Sequence, residues 1–256
     1  VLLLHRELAR RGIASVGLNF RGCARPNRRP RAYHSGETGD LAFVLAELAA
    51  REPGRPLAAV GFSLGGNVLL KLLGDAGPDG AGIEAAVAIS VPYDLAAGAD
   101  VLERSALGRR YARYFLSSLV AKVRAKRSLL EDLVDVEAAL ASPNIRAFDE
   151  RVTAPLHGFQ DADHYYAASS SGPVLSDIRV PTLLIHAMDD PFLPPDRVPT
   201  RAAEANPWLH PAFLDRGGHV GFVEGPVWRP RFWAERTASG FLAAALGPGT
   251  PTTPRP

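Results

Sequence analysis

Apolar positions along the chain follow two periods. Five short runs are almost continuously apolar: Ile13–Phe20 (IASVGLNF), Leu57–Gly61 (LAAVG), Ile83–Val91, Val180–Ala187 (VPTLLIHA) and Leu209–Leu214. Runs of this length without polar alternation read as strands buried on both faces. Between them the apolar residues take helical spacing. Leu4, Leu8 and Arg11 fall on one side of Val1–Arg11, which Gly12 closes. LAFVLAELAA follows Thr38 and Asp40 and stops before Pro53-Gly54, NVLLKLLG covers Asn67–Gly74, and a last helix is predicted over Arg231–Leu246. Strands alternating with helices predict an α/β fold: a mostly parallel sheet with helices on both faces.

The stretch 96–177 departs from that alternation. It has few strand-like runs and several helical ones. Leu107, Tyr111, Tyr114, Phe115, Leu119 and Val123 form an amphipathic stripe, and Arg104, Arg109, Arg110, Arg113, Lys122, Arg124, Lys126 and Arg127 lie mostly off it. A helical segment lodged between two strands is expected to form a cap over one end of the sheet. Arg21–Gly36, rich in Arg, Pro, Gly and Asn, is expected to be loop. Gly247–Pro256 (GPGTPTTPRP) has the composition of a disordered tail. The expected division is thus one domain over 1–246, a cap at 96–177 within it, and a tail at 247–256.

Composition narrows the function classes. Of 256 residues 46% are hydrophobic, enough for one sizeable core, and the net charge of +2 gives no field that would favour nucleic acid. No run of about 18 apolar residues suggests a transmembrane helix. The single cysteine, Cys23, cannot form an intramolecular disulfide, which fits a cytoplasmic protein. Cys23 is expected to be a packed thiol at a strand end. The chain begins at Val1 inside a predicted helix, so the true N-terminus, with any signal peptide, is expected upstream.

Gly61-Phe62-Ser63-Leu64-Gly65-Gly66 fits G-x-S-x-G. The pattern alone is common, but here it follows a predicted strand and precedes a helix, the context of a nucleophile elbow. The sharp turn lifts the serine hydroxyl clear of the sheet at a helix N-terminus, where negative charge is stabilised. Serine needs a base, and in this order an acid then a histidine should follow. Asp189-Asp190-Pro191 directly follows the VPTLLIHA strand, and Gly217-Gly218-His219 lies after the last predicted strand. Asp190 is the expected orienting acid, with Asp189 as fallback or loop helper, and His219 the expected base. The other histidines have plainer readings: His5 on a helix, His34 and His157 in loops, His186 near a strand end. Asp161-Ala-Asp163-His164 lacks a partner cluster of recognisable spacing and reads as loop, not as a metal site. A serine triad needs neither metal nor cofactor.

These residues, together with Asn19-Phe-Arg-Gly-Cys23, Tyr33-His-Ser-Gly-Glu-Thr38, Gly61-Phe-Ser-Leu-Gly-Gly-Asn67, Val91-Pro-Tyr-Asp-Leu95, Asn144-Ile-Arg146, Phe148-Asp149, His157-Gly158, Tyr165-Tyr166, His186 to Phe192 and Gly217-Gly-His-Val-Gly-Phe222, carry a resemblance. The chain resembles the YheT-like family of α/β-hydrolases, esterases and lipases related to mammalian abhydrolase-domain proteins, from about Gly12 to Leu242. The resemblance implies the triad Ser63, Asp190 and His219 and a metal-independent hydrolase of acyl esters, with short- to medium-chain acyl esters or acylglycerols as substrates. It also implies a departure. Family members carry an early strand and a His-Gly-rich loop before the first helix, and this sequence opens at that helix. The oxyanion hole is then expected to rest on the Leu64 N–H, without its second donor from that loop. The absent strand would lie between Ile13–Phe20 and Leu57–Gly61, so a gap of unpaired backbone groups is expected there, as in a fragment of a longer protein.

Other readings stay open. The chain is an ester hydrolase, a hydrolase of another acyl class (thioesterase or peptidase), or a catalytically impaired fragment or pseudo-enzyme. Tyr111, Tyr114, Phe115, Tyr165 and Tyr166 either line an acyl pocket or, more plainly, pack the cap onto the sheet. The basic face over Arg109–Arg127 is a solvated helix face, or a peripheral contact with anionic lipid headgroups.

Overall fold

The computed structural model describes residues 1–247; most of the tail expected over 247–256 lies outside the described residues. Four strands form a parallel sheet in chain order: β1 (Ala58–Phe62), β2 (Ala85–Ile89), β3 (Thr182–Ala187) and β4 (Leu209–Leu214). The register sets Ala58 against Ala85, Ala86 against Thr182, and Thr182 against Leu209. Every residue of β2 and β3 is buried, which is why their sequences are continuously apolar instead of alternating.

Helices α1 (Leu2–Arg10), α2 (Gly39–Arg51) and α3 (Leu64–Ala76) belong to the first part of the chain, and α3 leaves β1 directly. Between β2 and β3 run α4 (Leu95–Arg104), α5 (Ala106–Ala125), α6 (Arg127–Leu130), α7 (Val136–Leu140), α8 (Ile145–Phe148), α9 (Ala154–His157) and α10 (Ala162–Ser169). After β3 come α11 (Thr200–Ala205), β4, a short antiparallel pair β5 (Val223–Glu224) and β6 (Arg231–Phe232), and α12 (Trp233–Leu246). One face of the sheet buries Leu45 of α2, Leu69, Leu70 and Leu73 of α3 and Ala203 of α11 against Ala86, Ala88 and Leu184. The other face buries Leu4 and Leu8 of α1 and Ala234, Ala238 and Leu242 of α12 against Val87, Ile89, Leu183 and Ile185.

Five of the seven helices between β2 and β3 (α4, α5, α7, α8 and α10) start on side-chain caps. Asp94, Ser105, Asp135, Asn144 and Asp161 each accept a hydrogen bond from the backbone N–H three residues on. A cap of this kind contributes about 1 kcal/mol, which matters for helices as short as α7 and α8. Their own apolar cluster joins Val123, Leu130, Val136, Phe148 and Val152.

Three expectations are corrected. Ile13–Phe20 is not a strand: it runs as irregular chain with Val16 70% exposed. Parallel pairing needs a neighbour, and the sheet ends at β1 on that side, so the N–H and C=O groups of this run have no ladder among the described residues. Asp161-Ala-Asp163-His164 is not loop but the capped start of α10, and Asp163 pairs with Arg146. Cys23 is exposed, not packed, because the strand that would have ended there does not form. No described helix is long and apolar enough to cross a membrane.

Candidate active site

The turn from β1 into α3 is made by Ser63, whose backbone sits at φ 50°, ψ −121°. A non-glycine residue there is strained by about 1–3 kcal/mol, and the surrounding contacts must hold it. They do so through close packing. A Cβ on Gly61 would lie 2.4 Å from the Gly65 carbonyl oxygen, and one on Gly66 would lie 2.6 Å from the Val91 side chain. Side chains at either place would force strand and helix apart. Gly65 differs: a Cβ there would find only the Phe20 ring, 4.0 Å away. Ser63 N–H donates to Ile89 O on β2 (2.8 Å), and its carbonyl accepts from Gly66 and Asn67. The N–H of Leu64, first in α3, has no acceptor among the described residues.

The three residues singled out from the sequence converge. His219 Nε2 is 2.8 Å from Ser63 Oγ. His219 Nδ1 is 2.9 Å from Asp190 Oδ2 and 3.1 Å from Oδ1. The Asp190 side chain is buried and that of His219 half-buried. Asp190 lies just past β3, with its own N–H donating to Ala187 O and its Oδ1 accepting from Phe192 N–H at 2.9 Å. A carboxylate facing Nδ1 selects the tautomer in which Nδ1 carries the proton and Nε2 is free to accept from a hydroxyl.

Asp189 does not face His219. It accepts the N–H groups of Gly217 (2.9 Å) and Gly218 (2.8 Å), pinning the loop that carries the histidine. Gly218, at φ 61°, takes the left-handed conformation that lets the chain turn back toward the sheet edge. The consecutive aspartates therefore divide the work: one holds the ring, the other holds the loop under it.

Two groups beside the triad were not singled out. The Phe192 ring lies edge-on to the His219 ring at 4.3 Å, and Tyr111 and Phe115 of α5 meet Phe192 at 5.0 and 6.2 Å. Tyr111 and Phe115 of the α5 stripe thus stand next to the ring that touches His219, while Val123 at its other end is core. Asn67, fully buried in α3, donates to Ser35 O (2.9 Å) and Ser169 O (2.8 Å) and accepts from Ser171 N–H (3.0 Å). It fastens the 34–37 loop and the end of α10 to the elbow helix. The signal in the sequence was a lone amide in the apolar run NVLLKLL. Tyr165 and Tyr166 are structural: their hydroxyls donate to Ser35 Oγ and Asp149.

His186 is buried beneath the site, its Nε2 4.0 Å from Asp190 Oδ2. Burial holds its pKa down, so it adds no positive charge beside Asp190. No group of metal-ligating side chains occurs among the described residues.

Comparison with known proteins places this geometry. Residues 4–226 match the α/β hydrolase fold family. YheT of Escherichia coli (strain K12), which carries an esterase designation, is 38% identical over 240 residues, spanning 93% of this chain and 70% of that protein. Human phospholipase ABHD3 is 32% identical over 93% of this chain, which spans only 58% of that protein. An esterase structure from Pyrococcus furiosus superposes with a TM-score of 0.56 at 18% identity, covering 94% of this chain and 74% of that one, a likeness of fold alone. With the elbow and the sheet order already seen, these matches put the chain in the α/β-hydrolase fold family, as a YheT-like member.

Proposed function

We propose that this protein is a serine hydrolase that cleaves carboxylic esters, acyl esters of short to medium chain or acylglycerols, through an acyl-enzyme on Ser63. The observation that carries the reading is the unbroken relay Asp190–His219–Ser63 at hydrogen-bond distances on a strained elbow. His219 Nε2 takes the Ser63 proton as Oγ attacks the ester carbonyl, and Asp190 stabilises the imidazolium that forms. The carbonyl oxygen gains charge beside the free Leu64 N–H at the positive end of α3. His219 then protonates the leaving alcohol, and a water activated by the same nitrogen releases the acid. The names of the relatives, an esterase and a phospholipase, support ester chemistry over amide chemistry.

The test is reaction with a fluorophosphonate, located by mass spectrometry, beside turnover of p-nitrophenyl butyrate. An adduct on Ser63, absent in Ser63→Ala along with about 10³-fold or more of the turnover, is expected. Near-normal hydrolysis by purified Ser63→Ala would defeat the assignment. Thioester and amide analogues in the same assay rank the acyl classes.

A further inference from the structure

Away from Ser63, a cavity of about 500 Å³ lies between the Arg21–Tyr33 loop and helices α5, α6, α8 and α9. Its volume is in the range of small-molecule sites. The floor is apolar: Val123, Phe148 and Val152 of the buried cluster of the helical segment, with Leu119 and Leu156 packed against it. The rim is cationic. Lys122 Nζ stands over the Tyr33 ring at 4.6 Å and 3.7 Å from Cys23 Sγ. Lys126 Nζ donates to the carbonyl oxygens of Arg29 (2.9 Å) and Pro30 (3.4 Å). Arg21 is ion-paired with Asp40, but neither lysine has a carboxylate partner among the described residues. Burial and the nearness of Lys122 and Arg21 hold the Lys126 ammonium below its ordinary range. Like charges gathered over an apolar floor, with no acidic side chain to answer them, are complementary to a ligand with one anionic end and one alkyl end.

The cavity is linked to the elbow through two rings. Tyr33, on its rim, stacks on Phe20 at 5.3 Å, and Phe20 is the ring beside Gly65.

We propose that this cavity binds a single-chain anionic amphiphile of the fatty-acid class, its alkyl chain on the Leu119–Val152 floor and its carboxylate between Lys122 and Lys126. Only the origin of the ligand rests on the ester-hydrolase reading, since hydrolysis of an acyl ester releases such an acid; the fit of chain and charge does not.

Isothermal titration of the full chain with laurate, dodecanol and dodecyl phosphate tests this. Saturable 1:1 binding of laurate is expected, with dodecanol at least about tenfold weaker because it lacks the charge. A Lys122→Gln, Lys126→Gln double variant, which keeps most of each side-chain stem, is expected to weaken laurate about tenfold or more and leave dodecanol unchanged. Lys126→Arg, which keeps the charge, is expected to retain laurate binding. Thermal melting of each variant verifies its fold. No saturable laurate binding, equal binding of laurate and dodecanol, or undiminished laurate affinity in a folded double variant overturns the proposal. Dodecyl phosphate binding tenfold tighter than laurate overturns the fatty-acid assignment in favour of a phosphate head. Turnover of p-nitrophenyl butyrate by the same sample reads the hydrolase proposal independently, so either can fail alone.

Discussion

Replacing Asp190 by asparagine keeps the side chain's shape but removes the charge and leaves His219 free to adopt the wrong tautomer. Because Asp190 faces Nδ1 with both oxygens, Asp190→Asn is expected to lower kcat about 10³–10⁴-fold with little change in KM. Asp189→Asn should behave differently. Both glycine N–H groups donate to the same oxygen, Oδ1, which an amide keeps as a weaker, uncharged acceptor, so a loss confined to about tenfold, with a looser 217–219 loop, is expected from the same kinetics. Equal losses in the two variants would mean that the aspartates are not divided as the hydrogen bonds divide them. The residues that carry the family resemblance also divide at this scale. Asp94 and Asn144 are helix caps, Asp149 accepts the Tyr166 hydroxyl, and Arg146 joins Asp163 and Asp100. These contacts shape the helical segment.

At the scale of elements, the β1–α3 junction separates a steric requirement from a motif. Gly61→Ala would place a methyl 2.4 Å from backbone, so a loss of about 1–3 kcal/mol or more in denaturant unfolding is expected. Gly65→Ala meets only the Phe20 ring. It should fold, and gain about 0.5–1 kcal/mol from replacing glycine within a helix. Comparable instability of both variants would contradict the packing described. The run 13–20 gives a second check. Val16 and Leu18 are exposed and the run lacks a ladder, whereas β2 and β3 are buried and paired on both sides. In hydrogen exchange by mass spectrometry its amides should exchange at least about 10²-fold faster than those of Ala85–Ile89.

For the whole molecule, the response to pH follows from three groups that tie loop and helices together. The rings of His34 and His157 lie 4.4 Å apart. Burial, the first cause for each, holds both down to about 4 from the usual 6.5. Between those values the unfolded chain takes up protons that the folded chain refuses. Their contribution is therefore full above about pH 6.5 and lost as pH falls toward 4. Asp149 runs the other way. Burial lifts its carboxyl to about 6 from 3.8, so its contribution is full below about pH 4 and lost as pH rises through 6. Two histidines oppose one carboxyl, and a net fall in Tm between pH 6.5 and 4 is expected. His157→Phe, which keeps the ring contact, should flatten that fall, and Asp149→Asn should steepen it. An unchanged slope in both would show that these groups do not govern it.

The alternation of apolar runs and helical spacing already specified an α/β chain, because a strand buried on both faces must be apolar throughout, as β2 and β3 are. The serine, aspartate and histidine were legible because each follows a strand-like run in a fixed order, with glycines where the backbone must turn tightly. Ile13–Phe20 was misread because period and composition describe a strand's faces, whereas pairing depends on a neighbour that only the assembled sheet supplies. The same holds for the parts of the site that the sequence did not show. Phe192 reaches His219, Asn67 joins Ser35 to Ser169, and Lys122 and Lys126 meet Cys23 and Arg29 only after distant segments pack, and no local pattern encodes contacts across 27 to 102 residues of chain.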